Sequence, residues 1–127
     1  MKPNVRAWDK VNKEMIEDVA SIHFKAKMIS TYNLFFYPFK DIELLQSTGL
    51  KDINGKEIFE GHIVEFKNPY DKRSKARGVI VWREDKACFG IDMEGTTEQF
   101  ELYRITAENY LTVIGNIYQD EHLLGEE

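Results

Sequence analysis

Apolar positions along this chain fall in short runs separated by polar or glycine-bearing clusters, the pattern of strands and turns rather than of long helices. Val5-Arg6-Ala7-Trp8 reads as a first strand, and Asp9 to Lys13 as the turn that sends the chain back. The returning arm, Met15 to Phe24, fits two periods. Met15, Ile16, Val19 and Ala20 suit one helix face, whereas Ala20, Ile22 and Phe24 alternate as in a strand, and strand is the reading adopted. Met28 to Phe39 then gathers Tyr32, Phe35, Phe36, Tyr37 and Phe39 beside Ile29 and Leu34. Lys27 and Lys40 are the only flanking cations, so the rings read as core or a subunit contact rather than as a platform for stacking bases. Asp41 to Leu45 is a helical turn or the lead-in to a strand ending at Thr48.

The stretch from Leu44 to Phe66 organises the rest. It holds three of the eight glycines, Gly49, Gly55 and Gly61, each next to a change of element. Asp52-Ile53-Asn54-Gly55 is a tight turn in which Asp52 accepts from the backbone two residues on and Gly55 takes positive φ. Glu60-Gly61 repeats the punctuation before the β-formers Ile63 to Phe66. Lys67 to Arg77 reads as a loop, because Pro69 cannot donate to a ladder and the polar run has no apolar period. Gly78 to Trp82 and Ala87 to Met93 form the next hairpin, with Trp82 expected to be buried against Phe89 or its neighbours. Gln99 to Leu102 is a short strand, Tyr103 to Tyr110 an irregular or briefly helical connection, and Leu111 to Tyr118 the closing strand. Asp120 is placed to cap a last helical turn through Leu123 and Leu124 that plugs one end of the core. Short strands with such turns indicate an all-β sandwich or small barrel, and a barrel is favoured because closure removes edges that no helix here is available to cover.

Composition narrows the function more than it defines one. The 127 residues amount to one domain, with room for a small appended subdomain. A net charge of −5 argues against wholesale phosphate neutralisation. Within that acidic chain the basic cluster Lys67, Lys72, Arg73, Lys75 and Arg77 is the one candidate for tracking phosphates, against the simpler reading of a solvated loop. Cys88 is the only cysteine, which excludes an intrachain disulfide and suits a small hydrophobe in a reducing compartment. No apolar h-region follows the start, and Leu34 to Phe39 is too short for a bilayer and broken by Pro38, so a cytoplasmic protein without membrane contact is expected.

Reacting constellations are scarce. Asp52 to Glu57 has its glycine fourth rather than sixth, which fails the EF-hand spacing; its polar groups serve their own turn. His23, His62 and His122 form no ligand-spaced pair, so neither a metal nor a cofactor is expected. Gly49, Gly55 and Gly61 recur every six residues, unlike a phosphate-binding loop. A hydrolase would have to run through His62 with Asp52, Glu57 and Glu60, and it ranks last.

Several blocks occur in a familiar order: Arg6-Ala7-Trp8-Asp9-Lys10 with Met15, Thr48-Gly49-Leu50-Lys51-Asp52, Asn54-Gly55-Lys56-Glu57-Ile58, Glu60-Gly61 with Ile63-Val64, and Val113-Ile114-Gly115-Asn116-Ile117-Tyr118. Together they resemble the YopX family of phage and prophage proteins, over nearly the whole chain. The sequence departs from the family pattern at His62, where members carry Asp, and at Ser47, where an aromatic is usual. The resemblance implies a mainly β protein: a small SH3-like β-barrel over residues 44–127 with an N-terminal β-rich hairpin or extension over 1–43, packed as one compact unit. It also implies a phage or prophage accessory protein in a bacterial host, and brings no reaction with it. The resulting expectation is a non-enzymatic protein-interaction module whose partner is a host or phage protein, or a second copy. Nucleic-acid binding through the basic loop is the alternative. Self-association through the aromatic segment Tyr32 to Phe39 is expected, because one short segment of a small barrel buries little of that surface.

Overall fold

The β-branched and aromatic runs do become strands, twelve of them among the described residues, and the protein is mainly β. The computed structural model describes residues 4–67, 75–95, 97 and 99–125 and, at Lys75, the backbone alone. Two compact units divide the chain, Met1–Ser47 and Thr48–Glu127.

In the first unit β1 (Val5–Asp9) lies between β2 (Glu14–Ile16) and the opening half of β6 (Ile42–Lys51), antiparallel to both. Its central place buries even its polar side chains. Asp9 turns this to use, accepting at Oδ1 from the Val11 and Asn12 amides, at 3.0 and 3.1 Å, and at Oδ2 from the Asn12 side chain at 2.9 Å. Burial pushes the Asp9 carboxyl up, but these hydrogen bonds to the charged form outweigh it and hold the pKa below the usual value. The arm read as one strand from Met15 to Phe24 is in fact two. It breaks at the exposed pair Glu17-Asp18, because β2 pairs with β1 whereas β3 (Val19–His23) joins β4 (Met28–Thr31) and β5 (Phe36–Pro38) in a separate antiparallel sheet. Ala7, Ile16, Val19, Ile29 and Ile42 form the core of this unit, and Tyr37 and Phe39 pack against it.

The remaining rings do not reach that core. Tyr32, Phe35 and Phe36 are exposed, as is Leu34, so of the aromatic segment only its end behaves as core. The turn carrying them is well tied: the Thr31 amide donates to the Phe35 carbonyl at 2.9 Å, and the Phe35 amide to Thr31 Oγ1 at 3.1 Å. Leu34 is held at φ +68°, a region that costs a side chain of its size about 1 kcal/mol or more.

In the second unit β7 (Glu57–Phe59) lies beside the last residues of β6, where Thr48 Oγ1 donates to the Ile58 carbonyl at 2.7 Å. Five further strands follow: β8 (His62–Lys67), β9 (Lys75–Arg83), β10 (Cys88–Met93), β11 (Gln99–Glu101) and β12 (Leu111–Asn116). They form one antiparallel sheet in the order β11-β10-β9-β8-β12, curled into a half-barrel that is compatible with the expected SH3-like form. The connection before β12 is a single helix, α1 (Arg104–Tyr110), which buries Ala107 against Ile58, Val64, Ile80, Ile91 and Leu111.

Three local readings are corrected here. Lys67, Lys75 and Arg77 sit on the paired strands β8 and β9 rather than in a loop, because the ladder continues through Glu65↔Arg77, Phe66↔Ala76 and Lys67↔Lys75. Trp82 packs edge-on against Phe89, ring centres 4.9 Å apart, yet stays 40% exposed because it stands near the end of its strand. Asp120 does not cap the final 3-10 turn (Glu121–Leu123); its carboxylate reaches back to accept from the Asn116 amide at 3.0 Å.

The turn after β6 behaves as its residues require. Asp52 Oδ1 accepts from the Asn54 and Lys56 amides, each at 2.9 Å, and Gly55 sits at φ +81° with open space where a Cβ would be. Gly55→Ala therefore meets only backbone strain, and should lower stability by about 1 kcal/mol and the melting temperature by about 4 °C. An unchanged denaturation midpoint would contradict the turn geometry.

Candidate functional site

In the second unit, two side chains that line a pocket lie against a glycine of β9. A Cβ on Gly78 of β9 would lie 2.6 Å from Ile91 Cγ2 and 3.0 Å from both the Asp92 carbonyl and Met93 Sδ. Its absence lets Ile91 and Met93 of β10 lean across β9, which is the close approach that a glycine inside a strand commonly marks. Above them opens a pocket of about 420 Å³. Phe66 of β8 and Tyr110 at the end of α1 make one wall, their rings stacked with centres 5.6 Å apart and planes 11° from parallel. Ala76 and Phe100 line it from β9 and β11, and Glu101, Tyr103 and Thr106 complete it.

Its chemistry is almost wholly apolar. Among the described residues Glu101 is the single charged one that lines it, and the Tyr103 hydroxyl donates to that carboxylate. The hydrogen bond to Glu101, with the negative charge behind it, raises the Tyr103 pKa. Phe100 and Tyr103 are exposed beside the opening, and Ile105 is exposed on α1. Such a surface holds an apolar side chain by area, a contact worth about 1.5–3 kcal/mol for one fully enclosed leucine or phenylalanine.

The residues singled out from the sequence are occupied elsewhere. His62 is buried, with Nδ1 accepting from the Phe59 amide at 2.9 Å and the Phe59 ring edge-on to it at 5.9 Å. Asp52 is buried too, and its second oxygen accepts from the Val113 amide at 2.9 Å. The hydrolase reading thus finds its histidine and its aspartate both holding backbone. Of the basic cluster, Lys72 and Arg73 lie outside the described residues, as does the Lys75 side chain, and Lys67 ends β8. Arg77 donates from Nη1 to the Leu123 carbonyl at 2.9 Å and pairs with Glu65 at 3.4 Å. Gly49 and Gly61, like Gly55, take positive φ, and Asn54 lies in the Asp52 turn, so this motif shapes the backbone and lines no part of the pocket. Among the described residues no group of three or more His, Cys, Asp or Glu is placed to hold a metal, and no helix is long and apolar enough to cross a membrane.

Sequence reading missed the pocket. Its lining comes from four strands and a helix, spread between Phe66 and Tyr110, and the one local signal was a glycine inside an apolar strand. Fold and site together define a small mainly β protein with an apolar socket in its C-terminal unit. The chain belongs to the YopX family: the family model, described as YopX protein, matches residues 4–125. It is also similar to protein EF1440 from Enterococcus faecalis, known from a crystal structure, at 26% identity and a TM-score of 0.74, covering 98% of this chain and 99% of that one. No curated protein matches the sequence.

Gly78→Ala tests how the pocket floor is made. The new methyl must displace the branched Ile91 side chain and a backbone carbonyl, so a loss of about 1–3 kcal/mol is expected. Chemical denaturation measures it, and a neutral substitution would show that Ile91 and Met93 do not rest on the glycine.

Proposed function

We propose that this protein is a non-enzymatic interaction module, a phage or prophage accessory protein that takes an apolar side chain of a protein partner into the pocket beneath Phe100 and Tyr103. The observation that carries the reading is the pocket's one-sided chemistry. Among the described residues Glu101 is its one charged group, its walls are mostly aliphatic and aromatic carbon, and its rim of Phe100 and Tyr103 is exposed, which is closer to the apolar centre of a protein contact than to a site with several convergent polar groups. The engagement of His62 and Asp52 by backbone amides supports the absence of a reaction. The Arg77 guanidinium, already spent on Glu65 and Leu123, weakens the phosphate-tracking alternative.

Ala76 offers a clean test, since it lines the pocket, is itself exposed, and lies outside the buried core. Ala76→Phe fills the pocket from its wall. Tagged protein is incubated with lysate of a bacterial host carrying the prophage, with and without nuclease, and the retained proteins are compared with those retained by Ala76→Phe of unchanged melting temperature. The expected result is a protein held by the parent and lost at least tenfold by the variant. Retention indifferent to Ala76→Phe, or abolished by nuclease alone, would contradict the reading.

A further inference from the structure

The pocket adjoins a bare strand edge. The Leu102 amide donates to the Phe89 carbonyl at 3.0 Å, which makes Phe89 and Leu102 a hydrogen-bonded pair of the antiparallel ladder. Bonded and non-bonded pairs alternate, and the register runs Gly90↔Glu101, Ile91↔Phe100, Asp92↔Gln99. Ile91 and Phe100 are therefore the next bonded pair, and the backbone N–H and C=O of Gln99 and of Glu101 turn away from β10. Among the described residues no strand lies on that side, and all three residues of β11 are exposed. Proteins commonly blunt such edges with proline, lysine or a bulge. Gln99-Phe100-Glu101 has none of these, and it presents a 46% exposed phenylalanine next to an apolar hollow. Shortness and the Glu101 charge are its protections, and shortness limits what backbone pairing alone can hold.

We propose that β11 receives an extended segment of a protein partner distinct from this chain as an added strand, lowering one large apolar side chain into the pocket and bringing a neighbouring Lys or Arg to the Glu101 carboxylate. The inference rests on the pocket reading above and adds the edge and the charge. Charge complementarity selects the occupant: Glu101 is the lining charge among the described residues, and the nearby Arg104 is already paired with Glu108 at 3.4 Å. Among the described residues, the exposed aromatic segments of the first unit do not match. The tip from Tyr32 to Phe36 carries no cation, and Phe24 to Lys27, which carries two, is a tight turn rather than an extended strand.

The test uses a fluorescent eight-residue peptide with a central Phe between two Lys, and the full chain. Anisotropy should give a Kd on the order of 10–100 µM, as expected where a few backbone bonds and one anchored side chain carry the contact. Methylating alternate backbone nitrogens of the peptide, replacing its Lys by Glu, or its Phe by Ala, should each weaken binding about tenfold or more. On the protein, Gln99→Pro deletes an outward N–H while leaving the β10 ladder intact, and should cost about tenfold; Glu101→Gln should cost several-fold. Amide resonances of Gln99 and Glu101 should shift on titration. If Ala76→Phe abolishes peptide binding while backbone methylation and Gln99→Pro change nothing, strand addition is overturned and the pocket reading stands. No binding of the parent peptide at millimolar concentration also overturns it, with the lysate comparison still deciding the pocket. Displacement of the peptide by unlabelled protein would overturn the choice of a foreign partner in favour of a second copy.

Discussion

One buried carboxylate carries an unusual share of the C-terminal unit. Asp52 accepts three backbone N–H groups, those of Asn54 and Lys56 within its own turn and that of Val113, 61 residues further on. A charge taken out of water is costly unless it is fully hydrogen-bonded, and backbone amides that reach an ionised oxygen give some of the stronger bonds available. The same turn adds a bond from the Ile53 amide to the Leu111 carbonyl at 2.9 Å. The outer side of β12 is thereby satisfied by a turn instead of by a strand. The contrast with β11, at the other margin of the same sheet, is the main asymmetry of this unit.

The pocket wall follows from that clamp. β12 begins immediately after Tyr110, and its first residue, Leu111, pairs with Phe66. Fixing β12 therefore fixes both members of the stacked wall of the pocket, Phe66 from the ladder and Tyr110 from the end of α1. A seven-residue helix is too short to be stable by itself, so α1 depends on Ala107 in the core and on the strand that continues from it. The Phe66–Tyr110 wall of the pocket thus hangs on paired strands, whereas β11 at its other side has a neighbour on one side only among the described residues.

Much of the architecture was legible in the sequence, because alternation and turn chemistry act over a few residues. The Asp52 turn could be read from Asp-x-Asn-Gly, but its bond to Val113 could not, since nothing local in either segment encodes a contact 61 residues apart. Met15 to Phe24 looked continuous because Ala20, Ile22 and Phe24 alternate and no glycine or proline marks a break at Glu17-Asp18, where the pairing partner changes. Arg77 looked like a free cation because basic residues surround it in sequence; its partners, Glu65 and the Leu123 carbonyl, come from elsewhere in the fold. Trp82 was read as buried from the apolar run before it, whereas its position near the strand end decides its exposure. Tyr32, Phe35 and Phe36 expose an aromatic tip on a segment whose composition read as core or a subunit contact; only Tyr37 and Phe39 pack against the core.

The double role of Asp52 is open to direct measurement by amide hydrogen exchange at Val113 in the parent and in Asp52→Asn. The substitution keeps the shape but leaves one acceptor oxygen and turns an amide nitrogen toward a donor, so it cannot serve both the turn and β12. The account predicts that the Val113 amide, protected in the parent as strongly as the β8 ladder, exchanges markedly faster in the variant, with a stability loss of about 2–3 kcal/mol. Unchanged protection at Val113, with the turn amides of Asn54 and Lys56 equally undisturbed, would show that the carboxylate is not what ties β12 to the turn.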